Sequence, residues 1–267
     1  MFRTRLISGI ILVLIALLVI TRGGGVLLAV SAILSLIGLF ELYRVFSIEK
    51  TPLAVIGYIG TLLYYTNLHF HFLKDTMMIV IFLILAFMCC FVFTYPNYHS
   101  RTVLAAFFGV FYVSVMLSGI YTTRMLPSGI YLVWLIFICS WGCDTCAYCV
   151  GKLFGKHKMT PKLSPKKSVE GAVGGVVGAV LLALIYGFVF QNHMKVSVHY
   201  ILFMALICGI GSLFSMVGDL AASAIKRNYD IKDYGHLIPG HGGVLDRFDS
   251  VIFTAPLIYY LSLYIIR

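Results

Sequence analysis

VHYILFMALICGIGSLFSMVGDLAA, residues Val198–Ala222, has the length and apolarity of a helix that crosses a bilayer. About 20 mainly apolar residues suffice for one crossing. Near its end the stretch carries a carboxylate, Asp219, followed four and seven residues on by Ser223 and Lys226. These spacings put all three on one helix face. The plainer reading is an Asp219–Lys226 pair that anchors the helix end. Ionisable groups inside spans are costly, however, and are seldom kept for packing alone.

The rest of the chain extends the pattern. Its 267 residues are 61% hydrophobic and 11% charged, with a mean hydropathy of +0.99. A soluble domain carries about 25% charged residues. Too few polar residues remain to coat a large soluble core, so the expected fold is an all-α polytopic membrane protein. Nine candidate spans follow: Leu6–Ile20, Gly24–Phe40, Leu53–Phe70, Thr76–Tyr95, Thr102–Tyr121, Ile130–Val150, Ala172–Gln191, Val198–Ala222 and Ser250–Ile266. The third is the least regular, because Asn67, His69 and His71 crowd its end. The first follows Arg3 and Arg5 like a signal peptide, but no small-residue cleavage site follows and Arg22 comes next, so it reads as retained.

Nine crossings put the termini on opposite sides. Of the 20 Lys and Arg residues, all but Arg22, Lys74, Arg124, Lys195 and Arg267 fall in the N-terminus and the even-numbered loops. Basic residues favour the cytosolic side, so the N-terminus and those loops are expected there, in a cell inner or plasma membrane. The net charge of +10 then reports topology and contact with anionic headgroups rather than nucleic acid. The chain reads as a single membrane domain, 1–267, with a helical scaffold over 1–126 and a chemical half over 127–267. Seven of the ten acids lie from Ser140 onward.

The charge of that half gathers in SAIKRNYDIKDYGHLIPGHGGVLDRFD, Ser223–Asp249. Asp230, Asp233, Asp246 and Asp249 alternate there with Lys226, Arg227, Lys232 and Arg247. Acids interleaved with bases around a glycine turn fit a polyphosphate and metal site. In Gly240-His241-Gly242-Gly243 the backbone can approach a ligand and successive N–H groups can cradle an anion, though an ordinary turn would look the same. Asp246 and Asp249 share a face of the last helix and suit its positive end. With Asp219 they offer three carboxylates to a hard cation such as Mg²⁺, which takes one or two of them and then waters and phosphates.

A second region runs from Asp144, again inside a span, through Tyr148, Gly151, Lys152, Gly155 and Lys156 to Ser164-Pro165-Lys166-Lys167-Ser168. Lys152, Lys156 and Lys158 read as positive-side anchors. Ser168 can cap the following helix, where basic groups beside a helix N-terminus favour phosphate. Cys139, Cys143, Cys146 and Cys149 have the spacing of one helix face, not of two knuckles converging on zinc, and read as small buried hydrophobes. The histidines near span ends read as satisfied interfacial groups.

Ser223, Lys226-Arg227, Lys232-Asp233, Pro239-Gly-His241-Gly242-Gly243 and Asp246-Arg247-Phe248-Asp249 together closely resemble the signature of phosphatidate cytidylyltransferases (CDP-diacylglycerol synthases). The Asp144–Gly155 and Ser164–Ser168 stretches resemble a second region of that family. The resemblance implies the reaction of CTP with phosphatidic acid to give CDP-diacylglycerol and pyrophosphate, with Mg²⁺, in a homodimer amid membrane lipids. It further implies Asp219 and Asp246 as metal ligands, with a second cation such as K⁺ nearby. On that basis Asp219, Asp246, Lys226, Arg247, Asp249 and Asp144 are the expected catalytic residues. Ser223, Lys167, Arg227, Lys232, His241, Gly242 and Gly243 are the expected substrate contacts. Three rivals are a non-catalytic membrane scaffold, which would not need the charge cluster, a CTP-dependent polyprenol or phytol kinase, which would transfer the γ-phosphoryl group, and a transporter. The last more often shows inverted repeats in both halves.

Overall fold

The computed structural model describes residues 2–240 and 242–266, with side chains for 8–240 and 242–264. His241 therefore lies outside the described residues. Helices dominate: α1 Phe2–Arg22, α2 Gly24–Val45, α3 Pro52–Phe70, α4 Met77–Phe93, α5 Ser100–Gly109, α6 Gly119–Arg124, α7 Gly129–Phe137, α8 Cys143–Phe154, α9 Val169–Met194, α10 Val198–Asn228 and α11 Leu245–Ile266. The π-helical turns Val110–Val115 and Ile138–Gly142 continue α5 and α7, so helical stretches stand at all nine expected positions among the described residues. Five of them are long and apolar enough to cross a membrane: 24–45, 100–124, 129–154, 169–194 and 198–228. Met77–Phe93 is apolar but shorter, as is the part of α1 with described side chains, Ser8–Arg22. Among the described residues, length and composition thus support at least five crossings, and helices stand at the other four positions expected from the sequence. α3 and α11 carry the polar residues that lower their apolarity. Large apolar side chains such as Leu14, Leu18, Leu85, Leu181 and Ile185 point outward from the helices. A soluble monomer rarely exposes so much apolar surface, and an integral membrane protein does so against lipid.

The chain forms two compact units, 1–121 with 233–246, and 122–232 with 247–267. In the first unit the core gathers Leu39, Tyr43, Leu53, Tyr65, Leu83 and Phe87. Tyr43 lies against Gly57 and Gly109, where any Cβ would collide with its ring, and it donates to the Ala106 carbonyl at 2.7 Å. Hydroxyl pairs link the spans: Ser35 with Tyr65 at 2.8 Å, Thr61 with Ser114 at 2.8 Å, and Tyr64 with Ser118 at 3.0 Å. Between apolar spans, where lipid competes for apolar contact, such polar pairs and close glycine approaches hold helices together. The doubtful polar end of α3 is satisfied as well. The Asn67 side chain accepts from Leu73 N at 2.8 Å, and His69 pairs with Tyr121 at 2.8 Å.

In the second unit α9 presents Gly171, Gly175, Ala179, Ala183 and Gly187 as a buried stripe of small residues at every fourth position. A Cβ on Gly171 would sit 2.8 Å from the Ala147 carbonyl oxygen, and one on Gly174 would sit 2.5 Å from Val150. The α8 backbone therefore packs directly on α9. Cys143 and Cys146 fill this contact opposite Gly175 and Gly178, and Cys139 faces Gly211 of α10. All seven cysteines are free thiols; Cys139 and Cys143 are buried and Cys146 is half-buried in these contacts, whereas Cys149, expected to be buried with them, is exposed. The polar loop after α8 forms a short hairpin, β1 Lys158–Thr160 paired antiparallel with β2 Ser164–Ser168. Sequence reading expected no strand there.

Candidate active site

β2 delivers the first member of the site. It ends at Ser168, whose extended backbone and side chain cap α9 by accepting from Gly171 N at 3.1 Å. This cap fixes where the strand stops. The preceding residue, Lys167, reaches α10, where its Nζ meets Asp219 Oδ2 at 2.5 Å. The Lys167 ammonium nitrogen is buried. About a quarter of each side chain remains exposed, 25% for Lys167 and 26% for Asp219. One helical turn on, the Ser223 hydroxyl donates to Asp219 Oδ1 at 3.4 Å.

Two further acids lie within electrostatic reach of Asp219. Asp144 is on α8 just after the π-helical turn, and Asp249 is in the first turns of α11. The Ser250 hydroxyl donates to Asp144 Oδ2 at 3.5 Å, and Ser250 N donates to Asp249 Oδ1 at 2.8 Å. Gly218 makes the closeness of α11 possible: a Cβ there would lie 2.8 Å from the Asp249 carbonyl oxygen and 2.8 Å from the Phe253 ring. Lys226 acts on Asp249, and Lys167 and Arg247 act on Asp144. Trp141 packs beside Phe137 and Phe248 and donates from Nε1 to the Arg247 carbonyl at 3.2 Å, which steadies the backbone of that arginine. The second unit thus brings together Asp144, Lys167, Asp219, Ser223, Lys226, Arg247 and Asp249. Arg227 and Lys232 are exposed, as are Lys152, Lys156 and Lys158.

Asp246, Gly242 and Gly243 belong to the first unit. Asp246 is buried, 5% exposed, and its Oδ2 accepts from Tyr234 N at 2.8 Å and Gly243 N at 2.9 Å. Gly242 has φ +85°, the left-handed region that glycine enters without steric cost, and the turn closes with Ile238 N donating to Gly242 O at 2.9 Å. The Gly243 N–H expected to meet phosphate and the Asp246 oxygen expected to meet a metal are thus engaged with each other. Glu41 of α2, which sequence reading did not single out, accepts from Val244 N at 3.0 Å and Leu245 N at 2.9 Å. An acid within a span was the signal that could have found it.

Among the described residues, no three His, Cys, Asp or Glu side chains converge closely enough to form a ready metal cage. The donor set of the second unit nevertheless suits a hard cation. Its three acids are all carboxylates, and an ammonium already rests on Asp219 as a stand-in positive charge. Mg²⁺ needs only one or two of them, completing its shell with water and substrate phosphate.

A multi-helix integral membrane protein with such an acid–base cluster is one class. Comparison with known proteins narrows it. Residues 3–265 match the model of the Cytidylyltransferase family. A phosphatidate cytidylyltransferase of Staphylococcus aureus (strain COL) is 32% identical over 259 residues, 96% of this chain and 97% of that protein. One from Staphylococcus epidermidis (strain ATCC 12228) is 31% identical over 261 residues, with the same coverage of 96% and 97%. One from Bacillus subtilis (strain 168) is 37% identical over 132 residues, 49% of this chain and 47% of that protein. The chain belongs to the cytidylyltransferase family.

Proposed function

We propose that this chain transfers CMP from CTP to phosphatidic acid, giving CDP-diacylglycerol and pyrophosphate for phospholipid biosynthesis. One observation carries the reading. Lys167 of the Ser164–Ser168 hairpin ends on Asp219 of α10, so two motif regions that are distant in sequence form one cluster of acids and bases.

Both reactants are polyanions, so charge is the main barrier. A phosphate oxygen of phosphatidic acid attacks the α-phosphorus of CTP, the bond from that phosphorus to the bridging oxygen breaks, and pyrophosphate leaves. A phosphate monoester is mostly ionised near neutral pH, so no protein nucleophile is needed. Catalysis is then positioning and charge neutralisation. Lys167 neutralises Asp219 without substrate and is placed to donate to a phosphate oxygen when one enters. Lys226 and Arg247 supply further positive charge, with Ser223, Arg227 and Lys232 as outer contacts. Asp144 and Asp249 orient these bases. Asp219 in the second unit and Asp246 in the first are each proposed as a ligand for Mg²⁺. Bound Mg²⁺ supplies charge neutralisation for the triphosphate and the departing pyrophosphate. The Gly240–Gly243 turn, with His241, is a proposed nucleotide contact. A second cation such as K⁺, a homodimer and a cytosolic site are further parts of this reading. The last rests on the basic residues of the even-numbered loops.

The test is incubation of purified protein with phosphatidic acid, Mg²⁺ and CTP labelled in one arm on cytidine and in another on the γ-phosphate. A cytidine-labelled lipid and labelled pyrophosphate are expected. Label passing from the γ-phosphate into lipid, with CDP released, would overturn the reading in favour of a kinase.

A further inference from the structure

A carboxylate buried in a membrane helix costs several kcal/mol unless its charge is met by good partners. Glu41 is such a group, 4% exposed in α2. Its partners are all in one place. Oε1 takes Val244 N and Oε2 takes Leu245 N, at 3.0 and 2.9 Å. These N–H groups open α11 and have no partner within that helix, so a remote side chain caps it, at the positive end of the helix dipole. One turn along α2, Arg44 Nη2 donates to the Tyr234 carbonyl at 2.5 Å. Tyr234 N and Gly243 N in turn hold Asp246. The surroundings are shaped for the carboxylate. A Cβ on Gly235 would lie 2.9 Å from Glu41 Cδ, and one on Gly243 would lie 2.6 Å from it. Both glycines leave room that Glu41 fills.

We propose that Glu41 is a positioning residue, a clamp in α2 that holds the 233–246 segment so that Gly242, Gly243 and Asp246 keep their working geometry. It touches no reactant itself. The inference rests on the cytidylyltransferase reading given above, because that reading gives the segment its task. A misplacement of about 1 Å in such a segment can cost about a hundredfold in rate.

The test uses full-length wild-type, Glu41→Ala, Glu41→Gln and Gly235→Ala protein in lipid nanodiscs. CDP-lipid formation and amide hydrogen exchange are measured side by side. Glu41→Ala is expected to lower turnover by about ten- to a hundredfold. Amides 234–245 should lose protection while the other spans keep theirs. Glu41→Gln retains one acceptor oxygen and should fall between wild type and Glu41→Ala. Gly235→Ala pushes a methyl into the carboxylate and should reproduce the exchange change, which keeps the test decisive if Glu41→Ala does not accumulate. Three results would overturn the clamp: wild-type turnover in Glu41→Ala and Gly235→Ala, reduced turnover with unchanged protection of 234–245, or protection lost evenly along the chain. If wild type makes no CDP-lipid, the functional reading fails, and the exchange data still decide whether Glu41 holds the segment.

Discussion

The Lys167–Asp219 pair offers the sharpest test of the proposed chemistry. The perturbation is a double-mutant cycle of Lys167→Ala, Asp219→Asn and both together. At 2.5 Å the pair is in full contact, with 25% and 26% of the two side chains exposed. Two unit charges at that distance attract by about 7 kcal/mol at an effective dielectric of 20, before any desolvation is subtracted. Exposed pairs are worth about 0–1 kcal/mol, and breaking a buried one costs about 3–5. A pair exposed by about a quarter belongs between these limits, so each single change should cost about 1–3 kcal/mol of stability. Activity is the stronger readout. Removing one well-placed charge stabiliser lowers turnover by about 10²- to 10³-fold. If the two residues serve one phosphate site as a unit, the double variant should be little worse than Asp219→Asn alone, because acting units are not additive. The assay is CDP-lipid formation from labelled CTP across a Mg²⁺ titration. Asp219→Asn should also raise the Mg²⁺ requirement, and Lys167→Ala should leave it near wild type. Near-normal turnover of Asp219→Asn, or losses in the double variant that multiply, would refute the shared role.

Three further outcomes follow from the same geometry. Lys156→Ala, at an exposed position, should change turnover less than about threefold, and a loss equal to that of Lys167→Ala would make the whole loop between α8 and α9 catalytic. Gly174→Ala would place a Cβ 2.5 Å from Val150 and should lower stability by about 1–3 kcal/mol, read as a reduced thermal midpoint in detergent. Removing divalent cations with EDTA should abolish product formation and added Mg²⁺ should restore it. A zinc-selective chelator should have no effect, because Cys139, Cys143 and Cys146 pack against glycines of α9 and α10.

Much of the architecture is local in origin and so was legible in the chain. Helical stretches stand where apolar length places them, and Ser168 caps α9 because a serine hydroxyl before a helix meets the third N–H. The carboxylates of the second unit were found as acids within or beside spans. Other features depended on partners that periodicity does not name. The Pro165–Lys167 run reads as loop, and becomes β2 only because Thr160 and Lys158 pair with Ser164 and Ser168. Gly243 reads as a free N–H donor, yet Asp246 uses it. Glu41 reads as one acid near Arg44 at a span end, and its link to Val244 N and Leu245 N, 203 and 204 residues on, is visible only in the fold.

That this is a helical membrane protein of the cytidylyltransferase family, and which residues carry its charge, follows from the chain alone. Those are properties of composition, of apolar length and of motif spacing along one chain. That Lys167 meets Asp219 and that Glu41 caps α11 emerges only once the helices are packed. Helix rotation accounts for the difference. Which face of a span meets its neighbour is set by close backbone approaches, at Gly171 and Gly174 against α8 and at Gly218 against α11, and those approaches aim the charged side chains. A span that is apolar on most faces holds no record in its own periodicity of where that contact falls.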